Sequence, residues 1–240
     1  MTSGERWAVG HPGPSPGTIQ QRFNRYALAV ARGYCPYLLP SIRQHTCMAT
    51  CYRLTAASCA DLQEEAFWHC VFHAEQLRVQ MAHTSAAEHP ALCENVIFEL
   101  PDSLTPAPGK RGLEWCHWLL KLNYTQTGIM AGEFWPQETE RDRRSRPIPV
   151  PEHFFISLRP AIKDKDARFF SLSPRQLAEF HAGHPSHPTL LEAFGCPQNR
   201  KDQPPHRPDP YYRRLIGFAE DELARTIQTI EASQIGRTGS

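Results

Sequence analysis

Apolar positions along the chain switch between two periods, and the switch points divide it into elements. Gln20–Arg32 (QQRFNRYALAVAR) carries apolar side chains at helical spacing until Gly33, Pro36 and Pro40 break the pattern. A short helix running into a turn is expected there. Thr46–Leu54 is rich in strand-compatible residues, with Cys47, Ala49 and Cys51 on one face and Met48, Thr50 and Tyr52 on the other. Ser58 then offers an N-cap, and Asp61, Glu64 and Glu65 sit in the first turns, where the helix dipole favours negative charge. This helix is expected to run to about Met81. CENVIFEL alternates as a half-buried strand closed by Pro101, Gly112–Tyr124 fits a second long helix, and GIMAGEFWP alternates again up to Pro136. After a polar loop at Gln137–Arg146, HFFISLR is the cleanest strand of the chain, with ARFFSL as a candidate further strand. Ser173 caps a helix with Pro174 at its first position, and Tyr211 to about Ala232 form a last amphipathic helix.

That order predicts an α+β domain, a ferredoxin-like antiparallel or mixed sheet with helices on one face, plus a C-terminal helix. The 22 prolines cluster at Pro12–Pro16, Pro101–Pro108 and Pro185–Pro210. The division that follows is a disordered tail at 1–19, one domain at 20–194, a Pro-rich linker at 195–210, the helix at 211–232 and a tail at 233–240.

Alternation sorts the strand side chains into two sets. Val96, Phe98, Leu100, Met130, Phe134, Phe154, Ile156 and Leu158 form a core face, and Asn95, Glu99, Glu133, His153, Ser157 and Arg159 a polar one. The polar set places carboxylates, an imidazole and a guanidinium together, the groups that acid/base chemistry and anion binding require. Glu133 and His153 are the expected catalytic acid/base pair. Arg159 and Arg146 would bind an anionic group, with Ser157 and Glu99 as further substrate contacts; Arg146 stands out in RDRRSRPIP because Pro147 and Pro149 stiffen the chain that presents it. Such a face is either a solvated sheet surface or a pocket; Ile97, Ile129, Trp135 and Phe155 share it, which favours a ligand or a partner subunit that covers it. Gly128 and Gly132 lie on the Met130 side of their strand.

Charge narrows the partners. With 26 Lys+Arg against 25 Asp+Glu there is no electrostatic footprint for nucleic acid. No apolar run approaches the ~20 residues that span a bilayer, and the N-terminus has no apolar core of a signal peptide, so a cytoplasmic location away from membranes is expected. Eight cysteines without a Cys-x-x-Cys spacing read mainly as small core residues, Cys35 in its aromatic turn being the one weighed as a reactive thiol. No nucleotide-binding motif or serine-hydrolase elbow is present. His69 and His73, at i and i+4, share a helix face in the manner of helical metal sites and are the candidate metal ligands, with haem or iron as the cofactor they would serve and His153 as a further axial candidate. HAGHPSHP reads as a polar loop.

The segments CPYLLP, GIMAGEFWP and RSRPIPVP followed by HFFISLRPAIKDKDARFF together resemble an uncharacterised bacterial domain family. Its members carry a Cys-Pro-aromatic turn, a Gly-x-Met-x-Gly-x-Phe-x-Pro strand and an Arg-Ser-x-Pro-x-Pro loop. The resemblance spans Cys35 to about Phe170, departs from the family at QETERDRR, and points at Cys35, Gly128, Gly132, Phe134, Pro136, Arg146, Pro147 and Arg159. Because such members often stand beside natural-product biosynthesis genes, it implies a small-molecule tailoring enzyme of specialised metabolism acting on a polar, carboxylate-bearing or amino-acid-like substrate. Two other readings remain open. One is a haem-dependent oxidative enzyme of the same pathways; the other is an accessory protein, a homodimer or the docking partner of a biosynthetic enzyme through its C-terminal helix.

Overall fold

A computed structural model describes residues 4–11, 17–104, 107–137, 139, 141–142, 144–170, 174–201 and 209–238. The chain is α+β around a five-stranded mixed sheet: β1 (Glu5–Ala8), β2 (Cys47–Arg53), β3 (Cys93–Glu99), β4 (Ile129–Phe134) and β5 (Phe154–Pro160), in the order β1-β2-β3-β5-β4. β2 and β3 are parallel, with Cys47 opposite Cys93 and Arg53 opposite Glu99; the other three pairings are antiparallel. A parallel pair needs a crossover of a dozen residues or more, and the long helix between these two strands supplies it.

The first helices are α1 (Ile19–Gly33), capped by Thr18 accepting from the Gln21 N–H, and α2 (Leu38–Arg43). The crossover is α3 (Cys59–His83), capped by Ser58 as its sequence indicates. α4 (Ala107–Tyr124) begins five residues before the expected Gly112, so the last two residues of the Pro101–Pro108 stretch are helical. The two long helices α3 and α4 cover one face of the sheet over a core of Val96, Phe98, Ile156, Leu158, Leu62, Leu77 and Leu119. On the other face α1 and α2 bury Phe23, Ala27, Ala31 and Ile42 against Cys47, Ala49, Ile97 and Phe155. Here the chain's own α1 does what the sequence assigned to a ligand or a second subunit: it covers Ile97 and Phe155. Phe155 is ringed by Phe23, Tyr26 and Phe134 at centroid distances of 5.1, 5.7 and 4.6 Å.

Two further expectations change. Residues 5–8 are not tail but an edge strand, because Trp7 and Val9 bury their side chains against the α1 layer while β1 pairs with β2; residues 12–16 of the expected tail lie outside the described residues. ARFF, read as strand, is a 3-10 turn at Ala167–Phe170 that follows the short α5 (Lys163–Asp166). The turn is favoured because Asp166, 2% exposed, reaches back to accept hydrogen bonds from the Ile162 N–H and from Arg159.

The C-terminal third folds back on α3 and α4. α6 (Pro174–Ala182) opens on Pro174 as expected, α7 (Leu190–Ala193) has a reciprocal Thr189/Glu192 capping box, and α8 (Gln198–Lys201) lies inside the segment read as linker. Lys201 is fully buried, donating to Glu75 on α3 and to Glu192, while Arg78 bridges the same two carboxylates and Tyr124 donates to Glu75. That network fixes the segment; residues 202–208 lie outside the described residues. α9 (Pro210–Thr238) then seats Tyr212, Leu215 and Ala219 in the α3/α4 core. Among the described residues no helix is long and apolar enough to cross a membrane.

Docking of α9 predicts a sharp asymmetry along it. Leu215→Ala should lower the unfolding free energy by about 2–5 kcal/mol, as cavity-forming core truncations do, whereas Ile227→Ala, at a site 48% exposed, should stay within about 0.5 kcal/mol. Urea unfolding followed by tryptophan fluorescence measures both, and equal small losses would mean that α9 is not part of the core.

Candidate functional site

A cavity of about 440 Å³ lies between α1, the turn at 35–41 and the sheet. Its floor is made by β3, β5 and β4, whose side chains on this face are Cys93 and Asn95, Ser157 and Arg159, and Met130, Gly132 and Phe134. The walls are Phe23, Tyr26, Val30, Tyr37, Leu38 and Phe169. Aromatic walls with a few polar groups at one end are the usual make-up of a small-molecule site. Gly132 stands directly opposite Ser157, and its missing side chain keeps the floor open beside that hydroxyl.

The polar end is built from groups that are already paired, each with one side turned to the cavity. Arg159 holds Asp166 through two bonds of 2.7 Å and also donates to the Pro160 carbonyl. This occupies both Nη1 hydrogens and one on Nη2. The Nε hydrogen and the second Nη2 hydrogen, which form the other fork of the guanidinium, have no partner among the described residues. Such a fork matches the two oxygens of a carboxylate. Next to it the Ser157 hydroxyl lies 3.6 Å from Cys93 Sγ. Asn95 donates from Nδ2 to the Met48 carbonyl at 2.9 Å and contacts both Cys93 and Cys47 sulfurs at 3.5 Å. The hydrogen bond from Cys47, with those of Ser157 and Asn95, holds the Cys93 thiol below its ordinary value despite burial, and Cys47 is pushed up in return.

β4 is shifted by one residue from the expected phase. Ala131, Glu133 and Trp135 turn toward α4, and Met130 and Phe134 turn toward α1, because Gly132 pairs with Ser157 and Glu133 with Ile156. Both faces of this strand meet apolar surroundings, so alternation alone does not phase it. The consequence for chemistry is direct. Glu133 and His153 lie on opposite faces and do not form a pair. Glu133 instead meets His117 of α4 at 3.3 Å, while His117 Nε2 donates to the Ala131 carbonyl at 2.8 Å. With Nε2 donating to the backbone, Nδ1 is the ring nitrogen that faces the carboxylate. β4 is an edge strand, and the cavity lining reaches round it to Glu133, His117 and Lys121. The second carboxylate oxygen of Glu133 is buried with no hydrogen-bond partner among the described residues.

The remaining candidates fall elsewhere. His153 accepts from Arg22 Nε at 3.1 Å. Arg146 is tied to Asp142 and to the Gly33 carbonyl and lies over the Tyr34 ring, so it stitches the 141–147 loop to the end of α1 rather than facing the cavity. Glu99, paired with Arg53, is six residues along β3 from Cys93, about 20 Å away. Of the six catalytic and binding residues expected, Ser157 and Arg159 are brought together and Glu133 stands at the rim.

His69 and His73 do share a helix face, but they do not make a ligand pair. His73, 1% exposed, uses both ring nitrogens: Nδ1 meets Glu94 Oε2 at 3.1 Å, and Nε2 meets the Tyr52 hydroxyl at 2.9 Å. Glu94 also takes a 2.6 Å bond from Arg6 on β1. His69 stacks on Tyr52 with centroids 3.8 Å apart. The charge of Glu94 thus requires these neighbours, and no lone pair of His73 is left for iron or haem. Among the described residues no group of three or more His, Cys, Asp or Glu could hold a metal ion. His184 and His187 of the HAGHPSHP segment fold into a turn against the Gln126 carbonyl.

No protein-family model, no curated protein and no solved structure matches the chain. Of the residues singled out by the resemblance, Cys35, Gly132, Phe134 and Arg159 line the cavity. Cys93 and His117 were not singled out in the sequence, and Asn95 only as a member of the polar face. The available signal was that β2 and β3 both open on cysteine around a helix, which in a parallel pair of equal length puts the two thiols side by side.

Burial, reinforced by the neighbouring His73, lowers the pKa of His69 from 6.5 to about 4. The folded ring therefore stays neutral while the unfolded one protonates below about pH 6.5. Stability from this residue is complete above pH 6.5 and is lost as pH falls toward 4, by up to about 3 kcal/mol. His69→Gln should flatten that part of the acid limb in urea unfolding at pH 7.5, 6 and 4.5. An unchanged difference between wild type and variant across those three pH values would show that the ring is not held neutral.

Proposed function

We propose that the chain is a small-molecule tailoring enzyme, as the resemblance implies, whose substrate carries a carboxylate on an apolar, ring-containing body and lies in the cavity beneath α1. The observation that carries this reading is Arg159, which lines an aromatic-walled space of about 440 Å³ and is fixed in position by Asp166 with its second fork without a partner among the described residues. Phe23, Tyr26 and Phe134 would contact the apolar body, and the Ser157 hydroxyl would lie beside the carboxylate.

Acid/base chemistry in this reading passes to Glu133 with His117. They are the histidine–carboxylate pair that lines the cavity, and either group would exchange a proton with a ligand atom that reaches the edge of β4. Arg159 is opposite Met130, three residues before Glu133, so a substrate held at both ends spans about 10 Å. That suits a ring bearing a short side chain. The haem reading loses His73, whose ring nitrogens are both engaged, and the docking reading loses the first turns of α9, which are already packed on α4.

Calorimetry with 4-hydroxyphenylacetate and with the matching alcohol, 4-hydroxyphenethyl alcohol, tests the carboxylate. A charge-assisted pair contributes about 1.5–3 kcal/mol, so the acid should bind roughly 10- to 100-fold more tightly. Arg159→Gln should remove that preference, and Ala27→Trp, which fills the cavity, should abolish binding of both. Equal binding of the two probes, or a preference that survives in Arg159→Gln, would overturn the assignment.

A further inference from the structure

The thiols of the cavity floor take no part in the reading above, and their arrangement is unusual. Cys47 and Cys93 open the two parallel strands in register, and both side chains project to the α1 face, where they hydrogen-bond to each other. Residues directly opposite on neighbouring strands lie about 4.8 Å apart, inside the roughly 4.4–6.8 Å that a disulfide spans between Cα atoms. Asn95 contacts both sulfurs from one amide nitrogen, so the pair is bridged on its sheet side and open toward the cavity on the Cys93 side. Access differs sharply between the two. Cys93 lines the cavity, whereas Cys47 is fully buried and does not.

A second thiol pair, Cys70 on α3 and Cys116 on α4, provides the internal comparison. These two also hydrogen-bond to each other, but both are fully buried in the α3/α4 core and neither lines the cavity beneath α1. Burial pushes the Cys70 thiol well up, while Cys93 is held below its ordinary value by its hydrogen bonds. The thiolate is the nucleophile in sulfur chemistry. Position and hydrogen bonding therefore both select Cys93.

We propose that Cys47 and Cys93 are a dithiol–disulfide couple at the floor of the cavity, in which Cys93 reduces a small organic hydroperoxide and Cys47 resolves the product. The Cys93 thiolate attacks the terminal oxygen of ROOH; the S–O bond forms as the O–O bond breaks, and the alkoxide leaves as ROH after taking a proton. Cys93 is then a sulfenic acid. The Cys47 sulfur attacks it, forming the S–S bond and releasing water that carries off the Cys47 proton. Two electrons pass from the dithiol to the peroxide, and an external dithiol restores the reduced pair by exchange. A protein disulfide is excluded as the oxidant by the walls of α1, since its sulfur would have to reach a side chain only 8% exposed. Aromatic walls favour a hydroperoxide with an apolar substituent over hydrogen peroxide. The inference needs the cavity to admit a small molecule but is independent of the carboxylate at Arg159, so either assignment can fail alone.

The test treats the reduced, full-length protein with cumene hydroperoxide, hydrogen peroxide or diamide, blocks the remaining thiols and maps disulfides by mass spectrometry. A Cys47–Cys93 disulfide is expected with cumene hydroperoxide, forming about tenfold faster than with hydrogen peroxide at equal concentration, as burial of one ring would provide. Cys70 and Cys116 should stay reduced, and dithiothreitol should reverse the product. In Cys47→Ala, dimedone should trap a sulfenic acid at Cys93; in Cys93→Ala, no oxidation should appear at Cys47. A Cys35–Cys93 disulfide would overturn the role of Cys47, oxidation of Cys70–Cys116 at the same rate would overturn selection by the cavity, and a wild-type protein that stays fully reduced would overturn the proposal whether or not the variants fold.

Discussion

Burial of β3 on both faces is the constraint from which the rest of the molecule follows. Six of its seven residues, Cys93 to Phe98, are buried, so each polar side chain on it must find a partner inside the protein. Glu94 faces α3, and its charge requires Arg6 and His73, which in turn orient Tyr52 and His69 and hold the N-terminal edge strand against the sheet. Asn95 faces the other way and satisfies its amide on the Met48 carbonyl and on two sulfurs. One strand thus organises a closed polar network on one face and the floor of a cavity on the other. The closed network has no group left over for a ligand, and the open one does.

Strand ends and faces were legible where one face of a strand differs from the other. β2 and β5 alternate as their sequences indicate, and the N-caps at Ser58 and the proline that opens α6 are visible directly. β4 was not legible in the same way: Ile129, Ala131 and Trp135 on one side and Met130 and Phe134 on the other are all apolar, so only the pairing of Gly132 with Ser157 sets the phase. That one-residue shift moves Glu133 from His153 to His117. The histidines on α3 were correctly placed on one face, but their hydrogen-bond partners come from β1, β2 and β3, which no local pattern reveals. Cys93 was hidden for the same reason, because its significance depends on which strand lies beside it.

Electrostatics divides the buried ion pairs by purpose. Lys201 with Glu75 and Glu192, and Arg6 with Glu94, use up their charges within the protein and pin distant segments of chain to α3. Removing one partner from such a pair leaves an uncompensated buried charge, which is what makes them effective locks. Arg159 with Asp166 is different in geometry rather than in strength. One fork is occupied by Asp166, the other has no partner among the described residues, and Arg159 lines the aromatic-walled cavity. Glu133 with His117 sits at the far side of the edge strand, so one cavity is lined by a guanidinium, a histidine–carboxylate contact and a thiol.

Cys93 lines the cavity, whereas Cys47, Cys70 and Cys116 are fully buried and do not, and every reading of this site depends on that difference in access. The most direct measurement is timed alkylation of the native, reduced protein with iodoacetamide, followed by peptide mapping of the buried cysteines. Labelling of Cys93 well ahead of Cys47, Cys70 and Cys116 is the predicted result. Labelling of Cys93 only in step with Cys70 and Cys116, at the rate of global unfolding, would contradict it.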